Sequence, residues 1–197
     1  MARETHLHDP LPSSGLKIQI SFGYSDGFGR EIQKKIQAEP GPLVENGGSV
    51  DPRWVGSGWT IFNNKGKPVR QYEPFFDNTH DFKFGKKVGV SPVLFYDPVG
   101  RLVATLHPNH TFEKTVFDSW KQTTWDPNDT VLQASPQNDP EGGAFFKRLP
   151  SADYLPTWHE ARKNGQLGTT EQSAANKTAS HANTPTIAHA DALGRTF

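Results

Sequence analysis

One pattern limits what this chain can fold into: an aromatic residue, an acid or amide, a turn, a glycine and a base, written several times over. It reads Tyr96-Asp97-Pro98-Val99-Gly100-Arg101 in its clearest copy. Tyr24-Ser25-Asp26-Gly27-Phe28-Gly29-Arg30 repeats it with one extra residue, and Phe62-Asn63-Asn64-Lys65-Gly66-Lys67 and Asp191-Ala192-Leu193-Gly194-Arg195 keep its main parts. Phe117-Asp118 falls 21 residues after Tyr96-Asp97, with Trp120 and Gln122 at the places of Val99 and Arg101. Turns recurring at fixed offsets point to a repeat architecture.

Each residue type has a task in such a unit. The aromatic closes one strand and packs on the sheet. The Asp accepts backbone N–H bonds within its own turn, and the Gly takes a backbone conformation that other residues resist. The Arg starts the return strand, where its planar fork is expected to bond a carboxylate or carbonyl of a neighbouring unit. A lone hairpin is barely stable in water, so several must lie side by side. Asp97 and Arg101 have the look of a reactive pair, but their recurrence favours a turn.

The segments between the turns fit strands. Residues 16–22 alternate apolar and polar, as a half-buried strand does. Residues 31–36 read as its return strand, with a short helix as the competing reading because Ile32 and Ile36 are four apart. Strands are also expected over 54–62, 92–96, 101–106 and 111–117, with 121–125 and 130–132 as further pairing segments. The character changes near Gln133. Thr157-x-x-Glu160 is a capping-box pattern that opens a helix, Gly165 stops it, Thr169-x-x-Gln172 opens a second, and Pro185 ends that one. Residues 186–190 return to strand. The expected organisation is a polar lead-in at 1–15, a hairpin region at 16–132, a loop and short helical insert at 133–182, and the start of a further hairpin at 183–197. The fold class is all-β.

Composition agrees and excludes several functions. Only 34% of residues are hydrophobic while 11% are aromatic, so the core is thin and ring-rich. Formal net charge is +0, which leaves no basic excess for nucleic acid. Cysteine is absent, which excludes a disulfide framework, a zinc–cysteine site or a thiol nucleophile. Residues 1–15 lack the apolar stretch of a signal peptide, and no run approaches the length of a membrane span.

The hairpin pattern resembles the YD repeats of Rhs-type proteins. More specifically, residues 52–76, 91–111 and 184–197 look like the B component of bacterial insecticidal toxin complexes, the SpvB/TcaC type. The likeness runs from about Gly15 to Phe197 and is most diagnostic over 58–111. It implies antiparallel hairpins forming part of a curved, hollow β-shell built jointly with a C component, which is both shell partner and source of a cytotoxic cargo. It also implies contact with a pore-forming A component through regions missing from these 197 residues, and a secreted location. Because the chain stops directly after a glycine–base turn, it reads as a fragment of such a shell.

The chemical alternatives are weaker. The SpvB likeness raises ADP-ribosyl transfer, but no two Glu lie two apart as its motif needs. C components of the family cleave themselves with paired acids in DPxGL-like motifs. Asp97-Pro98-Val99-Gly100 resembles one half, with Arg101 in place of the Leu, and Asp126-Pro127-Asn128-Asp129 lacks the Gly. His107 with His110, or Asp77 with His80 and Asp81, are the metal candidates, and neither has a good ligand spacing. Ser13, Ser14 and Ser57 lack a nucleophile-elbow context. The expectation is therefore no enzyme, no catalytic, cofactor or metal residue and no cofactor. A carbohydrate-binding module, with Trp54, Trp59, Trp120, Trp125 and Trp158 as stacking platforms, is the second reading.

Overall fold

The computed structural model describes Ala2, Arg3, residues 8–10, Ser13 and residues 18–197. The expected lead-in at 1–15 lies largely outside these residues, as do Leu16 and Lys17 of the first expected strand and Ser14. The described chain is dominated by antiparallel strands and divides into two compact units, Met1–Ser91 and Pro92–Phe197.

In the first unit, short strands β1 (Ala2–Arg3) and β2 (Ile18–Gln19) pair with one another. Strand β3 (Ser21–Ser25) then pairs with β4 (Glu31–Ala38), β5 (Gly41–Pro42) with β6 (Ser49–Val50), and β8 (Thr60–Phe62) with β9 (Pro68–Gln71). Strands β7 (Arg53–Gly56) and β10 (Phe75–Asp77) complete a four-stranded sheet of order β10-β7-β4-β3. Residues 31–36 are strand, not helix: the turn at Asp26 reverses the chain so that Ser21 faces Ile36 and Tyr24 faces Gln33.

The single strand expected over 54–62 is instead broken, with β7 and β8 in different sheets. The reason is at Gly58, where any side chain would overlap the Tyr72 carbonyl. Only a glycine admits that approach of two backbones.

What covers the β3–β4–β7 sheet is a polar segment pinned across it. Gln33 and Lys35, the inward residues of β4, are fully buried. The Gln33 amide accepts from Lys83 N (2.8 Å) and donates to Lys83 O (3.3 Å), while Lys35 Nζ donates to Asp77 Oδ2 (2.6 Å) and Thr79 O (3.1 Å). The pinned segment supplies rings: His80 stacks on Phe22 (4.5 Å) and approaches Trp54 (5.4 Å), and Phe82 meets Tyr24 (5.6 Å) and Trp59 (6.0 Å). Aromatic packing of this kind substitutes for a deep aliphatic core.

The second unit is a five-stranded antiparallel meander: β11 (Val93–Tyr96), β12 (Leu102–Leu106), β13 (Phe112–Phe117), β14 (Lys121–Trp125) and β15 (Thr186–His189). Between β14 and β15 the chain makes a helical insert with α1 (Gly143–Phe146), α2 (Trp158–Arg162) and α3 (Thr169–Ala179). Phe146 of α1 is the keystone. It has no exposed surface and contacts Phe112 (5.0 Å), Phe95 (5.7 Å) and Tyr154 (5.7 Å). Val93 and Leu106 complete this core.

Half of the capping box at Thr157 forms: its hydroxyl accepts from Glu160 N at 3.4 Å, while the Glu160 carboxylate pairs with Lys163 (2.8 Å). The second box does not. Thr169 is already helical, Gly168 precedes it at φ 101°, and the Gln172 side chain donates to Lys163 O (3.0 Å). Residues 130–132 do not pair as a strand: Val131 N bonds Asn128 O and Gln133 N bonds Thr130 O, which closes a turn. Among the described residues no helix is long and apolar enough to cross a membrane.

Candidate functional site

The recurring turn is one geometry used four times. At Asp97, the backbone N–H donates to Arg101 O (3.0 Å) and the carbonyl accepts from Gly100 N (3.0 Å). The carboxylate folds inward: Oδ1 accepts from Val99 N (3.0 Å) and Arg101 N (2.9 Å), and Oδ2 from Arg101 Nε (2.7 Å). Asp26 makes the same bonds with Phe28 and Arg30, and Asp191 with Leu193 and Arg195. Asn63 makes them with Lys65 and Lys67, except the ion pair that an amide cannot form.

The glycine before each base stands at φ 76°, 74°, 88° and 73° in chain order. In the β3–β4, β8–β9 and β11–β12 hairpins, a register shift sits beside the turn. This is a three-residue hairpin loop, a type I turn followed by a left-handed residue in a bulge. The extra residue of the Tyr24 copy, Ser25, lies in the strand and not in the loop.

Two variants depart from it. His107–Thr111 keeps the backbone bonds (2.8 and 3.0 Å) but places His110 at the left-handed position, φ 63°. A Cβ there is strained by roughly 1 kcal/mol, and His110 is held by its Nδ1 contact to Pro156 O at 2.8 Å. At Asp118 the loop is one residue shorter, with Asp118 N donating to Lys121 O and Oδ1 accepting from Trp120 N (2.7 Å) and Lys121 N (3.0 Å). Lys121, not Gln122, therefore stands where Arg101 stands.

These acids are held below the usual carboxylate range. For Asp26 the leading cause is the Arg30 side-chain bond, for Asp118 the Trp120 N–H, and for Asp191 the Arg195 N–H. At Asp97, burial pushes the carboxyl up, but the Arg101 side chain and backbone bonds outweigh it.

The base does not bond a neighbouring unit's carboxylate, as its position in the sequence suggests. Arg30, Arg101 and Arg195 close on their own turn's acid, and the first two also lay their guanidinium on the ring of another hairpin. Arg30 lies 4.7 Å from the Phe62 ring centre, and Arg101 4.2 Å from that of Phe117. In both cases the ring is the aromatic that precedes a later turn of the series, at Asn63 or Asp118.

The other candidates disperse. Asp77 is engaged by Lys35, His80 is stacked on Phe22 and tilted against Trp54, and Asp81 accepts from the Thr79 hydroxyl. His110 points to Pro156 O, while His107 lines a cleft of about 420 Å³ with Asn109, Asn128 and Trp158. Among the described residues no group of three His, Cys, Asp or Glu could hold a metal ion. Asp126 caps its own turn through Asn128 N (2.7 Å) and Asp129 N (2.9 Å). Four of the five tryptophans are already covered. Trp54 is buried, Trp59 packs on Phe84 (5.0 Å), Trp125 lies under Lys114 (4.7 Å) and Trp158 under Arg162 (4.6 Å). Trp120 alone among them is exposed.

One charged cluster escapes a search for motifs. Lys114, on the inward face of β13, donates to Asp139 (2.7 Å) and Glu141 (2.6 Å). Burial works against its ammonium, but the two carboxylates outweigh this and raise its pKa. A cleft of about 280 Å³ beside it is also lined by Asp129, whose oxygens accept from Thr184 and Asp126 N. Its signal in the sequence is period two: Lys114 falls on the same strand face as Phe112.

No description of a known protein family matches the sequence, and no curated protein does so either. Solved structures do. The crystal structure of TcdB2-TccC3-Cdc42 matches 98% of this chain at 24% identity and a TM-score of 0.63. The Tc holotoxin pore of Photorhabdus luminescens matches 99% at 24% identity and a TM-score of 0.60. A crystal structure of TcdB2-TccC3 matches 62% at 29% identity and a TM-score of 0.53. This chain spans 6% to 8% of the length of those chains. It is an antiparallel hairpin protein with acid-capped turns, and its fold is that of a stretch of the Tc toxin structures.

Proposed function

We propose that the chain is a structural segment of the B component of a toxin complex, and that its role is non-enzymatic. It forms part of a hollow β-shell of YD-repeat hairpins. The shell is completed by a C component, which also brings the cytotoxic effector kept inside. Contact with the pore-forming A component runs through parts of a B component outside these 197 residues, and the assembly works outside the producing cell. The observation that carries the reading is the likeness over 98% of the chain to TcdB2-TccC3-Cdc42 at a TM-score of 0.63. The acid turns support it: their carboxylates are spent on backbone N–H groups and bases of the same turn, as scaffold residues are. The mechanism is steric, since a sheet without free edges excludes proteases and other chains.

The test replaces the matching stretch of TcdB2 with this chain and co-expresses the chimera with TccC3. The expected result is a soluble complex whose cargo withstands protease within about twofold as long as the parent's. A folded chimera that binds TccC3 yet leaves the cargo as labile as free cargo overturns the reading.

A further inference from the structure

The Lys114 cluster holds every group that amide formation needs. The amine is Lys114 Nζ, on the inward face of β13, its side chain 9% exposed. The carboxyl is that of Asp139, 6% exposed, whose Oδ2 lies 2.7 Å from the amine. Asp139 Oδ1 is engaged differently. It accepts from two backbone N–H groups, Glu141 at 3.1 Å and Gly142 at 2.7 Å. Two N–H donors on one carboxyl oxygen are the arrangement that stabilises the oxyanion of an acyl transfer. The Asp139 backbone is fixed as well, its N donating to Pro136 O (3.1 Å) and its O accepting from Gly143 N (2.9 Å). Glu141 Oε2 reaches the same amine at 2.6 Å, from a side chain that is 42% exposed. The Trp125 ring lies 4.7 Å from Nζ, and the cleft of about 280 Å³ is lined by Lys114, Trp125 and Asp139 together.

We propose that this cluster links itself: Lys114 Nζ condenses with Asp139 Cγ to form an isopeptide bond, with Glu141 as the proton carrier. The ion pair is the reactant state. Glu141 takes one proton from the ammonium and delivers it to Asp139 Oδ2, which leaves a neutral amine beside a neutral acid. The amine's lone pair attacks Cγ, and the charge that develops on Oδ1 falls to the Glu141 and Gly142 N–H groups. Glu141 moves a second proton from the nitrogen to Oδ2. The Cγ–Oδ2 bond breaks, water leaves through the cleft, and the third proton stays on the amide nitrogen. Glu141 ends as the carboxylate it began as.

Burial favours the product. Two ions held out of water carry a desolvation cost, and a neutral amide removes both charges. Burial pushes the Lys114 ammonium down, but the two carboxylates outweigh this and hold its pKa up. The amine therefore arises by transfer inside the cluster and not by loss of a proton to water. Asp139, cradled and buried, is the acyl partner, and Glu141, half in water, is the carrier. The bond ties β13 to the start of the helical insert across 25 positions, in a chain that has no cysteine for a disulfide. It forms once per chain, turns nothing over, and is independent of the proposed toxin role.

The whole chain, purified folded, is read by intact mass spectrometry under denaturing conditions. Its mass is expected to fall below that of the sequence by one water. A tryptic digest should contain one branched peptide joining residues 114 and 139. Lys114→Arg keeps the charge without a primary amine and should retain the full mass, as should Asp139→Ala. Glu141→Gln keeps an acceptor for Lys114 but carries no proton. It should slow linkage by about a hundredfold, followed over time in chain made by cell-free translation. Circular dichroism confirms that each variant is folded. A parent that keeps its full mass after prolonged incubation overturns the proposal. So does a loss of water that maps to another pair, such as Lys114 with Glu141, or to an aspartyl succinimide. A folded Glu141→Gln chain that links at the parent's rate overturns the carrier role.

Discussion

The Arg101 guanidinium lies 4.2 Å from the centre of the Phe117 ring while its Nε donates to Asp97 at 2.7 Å. One side chain thus closes its own turn and clasps the next hairpin. Lysine carries the charge but not the planar fork. Arg101→Lys is expected to destabilise the second unit by about 0.5–1 kcal/mol, measured by urea unfolding. Phe117→Leu should cost a similar amount, and the two losses should not add, because each removes the same contact.

Gly100 stands at φ 88°, where the turn calls for a residue without a Cβ. Gly100→Val forces a β-branched residue into the left-handed region and is expected to cost about 2 kcal/mol. Asp97→Asn keeps an acceptor for Val99 N and Arg101 N and should soften the fold only slightly. Thermal melts of the two variants give the order. A milder Gly100→Val would show that the turn does not depend on its glycine.

Phe146, fully buried against Phe95, Phe112 and Tyr154, ties the helical insert to the sheet. Phe146→Ala is expected to remove about 3–5 kcal/mol. Near-UV circular dichroism should lose intensity with it, because four rings pack at that point.

Lys114 and Asp139 are both nearly excluded from water. Lys114→Met leaves Asp139 buried with a lost partner and should cost about 3 kcal/mol. The double variant Lys114→Met, Asp139→Asn, which removes both charges and keeps an acceptor for Glu141 N and Gly142 N, should recover much of that loss. Urea unfolding of the pair in a double-mutant cycle checks it, and a double variant as unstable as the sum would show that the charges act separately.

The acid turns set a pH dependence whose sign follows from their depressed pKa values. Asp26, Asp97, Asp118 and Asp191 are all lowered in the folded chain. Their contribution is fully present above the unfolded value of about 3.9 and is lost as pH falls through the lower folded values. The urea midpoint should therefore hold from neutrality to near pH 5 and then drop. Replacing all four by Asn should flatten that drop. An unchanged drop would place the acid sensitivity elsewhere, Asp77 beside Lys35 being the next carboxylate held low.

Turn chemistry was legible because it is local: Asp97, Gly100 and Arg101 meet within five residues, and their types state their tasks. The all-β character, the hairpin order and the Thr157 cap followed from signals of equally short range. Long-range partners were not legible. Nothing near Arg101 in the chain says that its second contact is the ring of Phe117. Gln33 and Lys35 are polar, and they are buried because residues 77–83 return across them more than forty positions later. The break at Gly58 depends in the same way on the Tyr72 backbone. At the candidate site, the acid caps are legible as turns, whereas the Lys114 cluster is hidden because its acids come from the insert.

The clasp of Arg30 on Phe62 and of Arg101 on Phe117 has a consequence for any longer array of such hairpins. Each turn is complete in itself, but at these two the base is also anchored on the ring of a later hairpin. Stability then propagates as it does in a one-dimensional lattice, through nearest-neighbour terms added to the strength of each unit. An interior hairpin is clasped from both sides and a terminal one from a single side. Such an array frays from its ends, grows stiffer with length, and tolerates the loss or duplication of a whole hairpin better than the loss of one arginine.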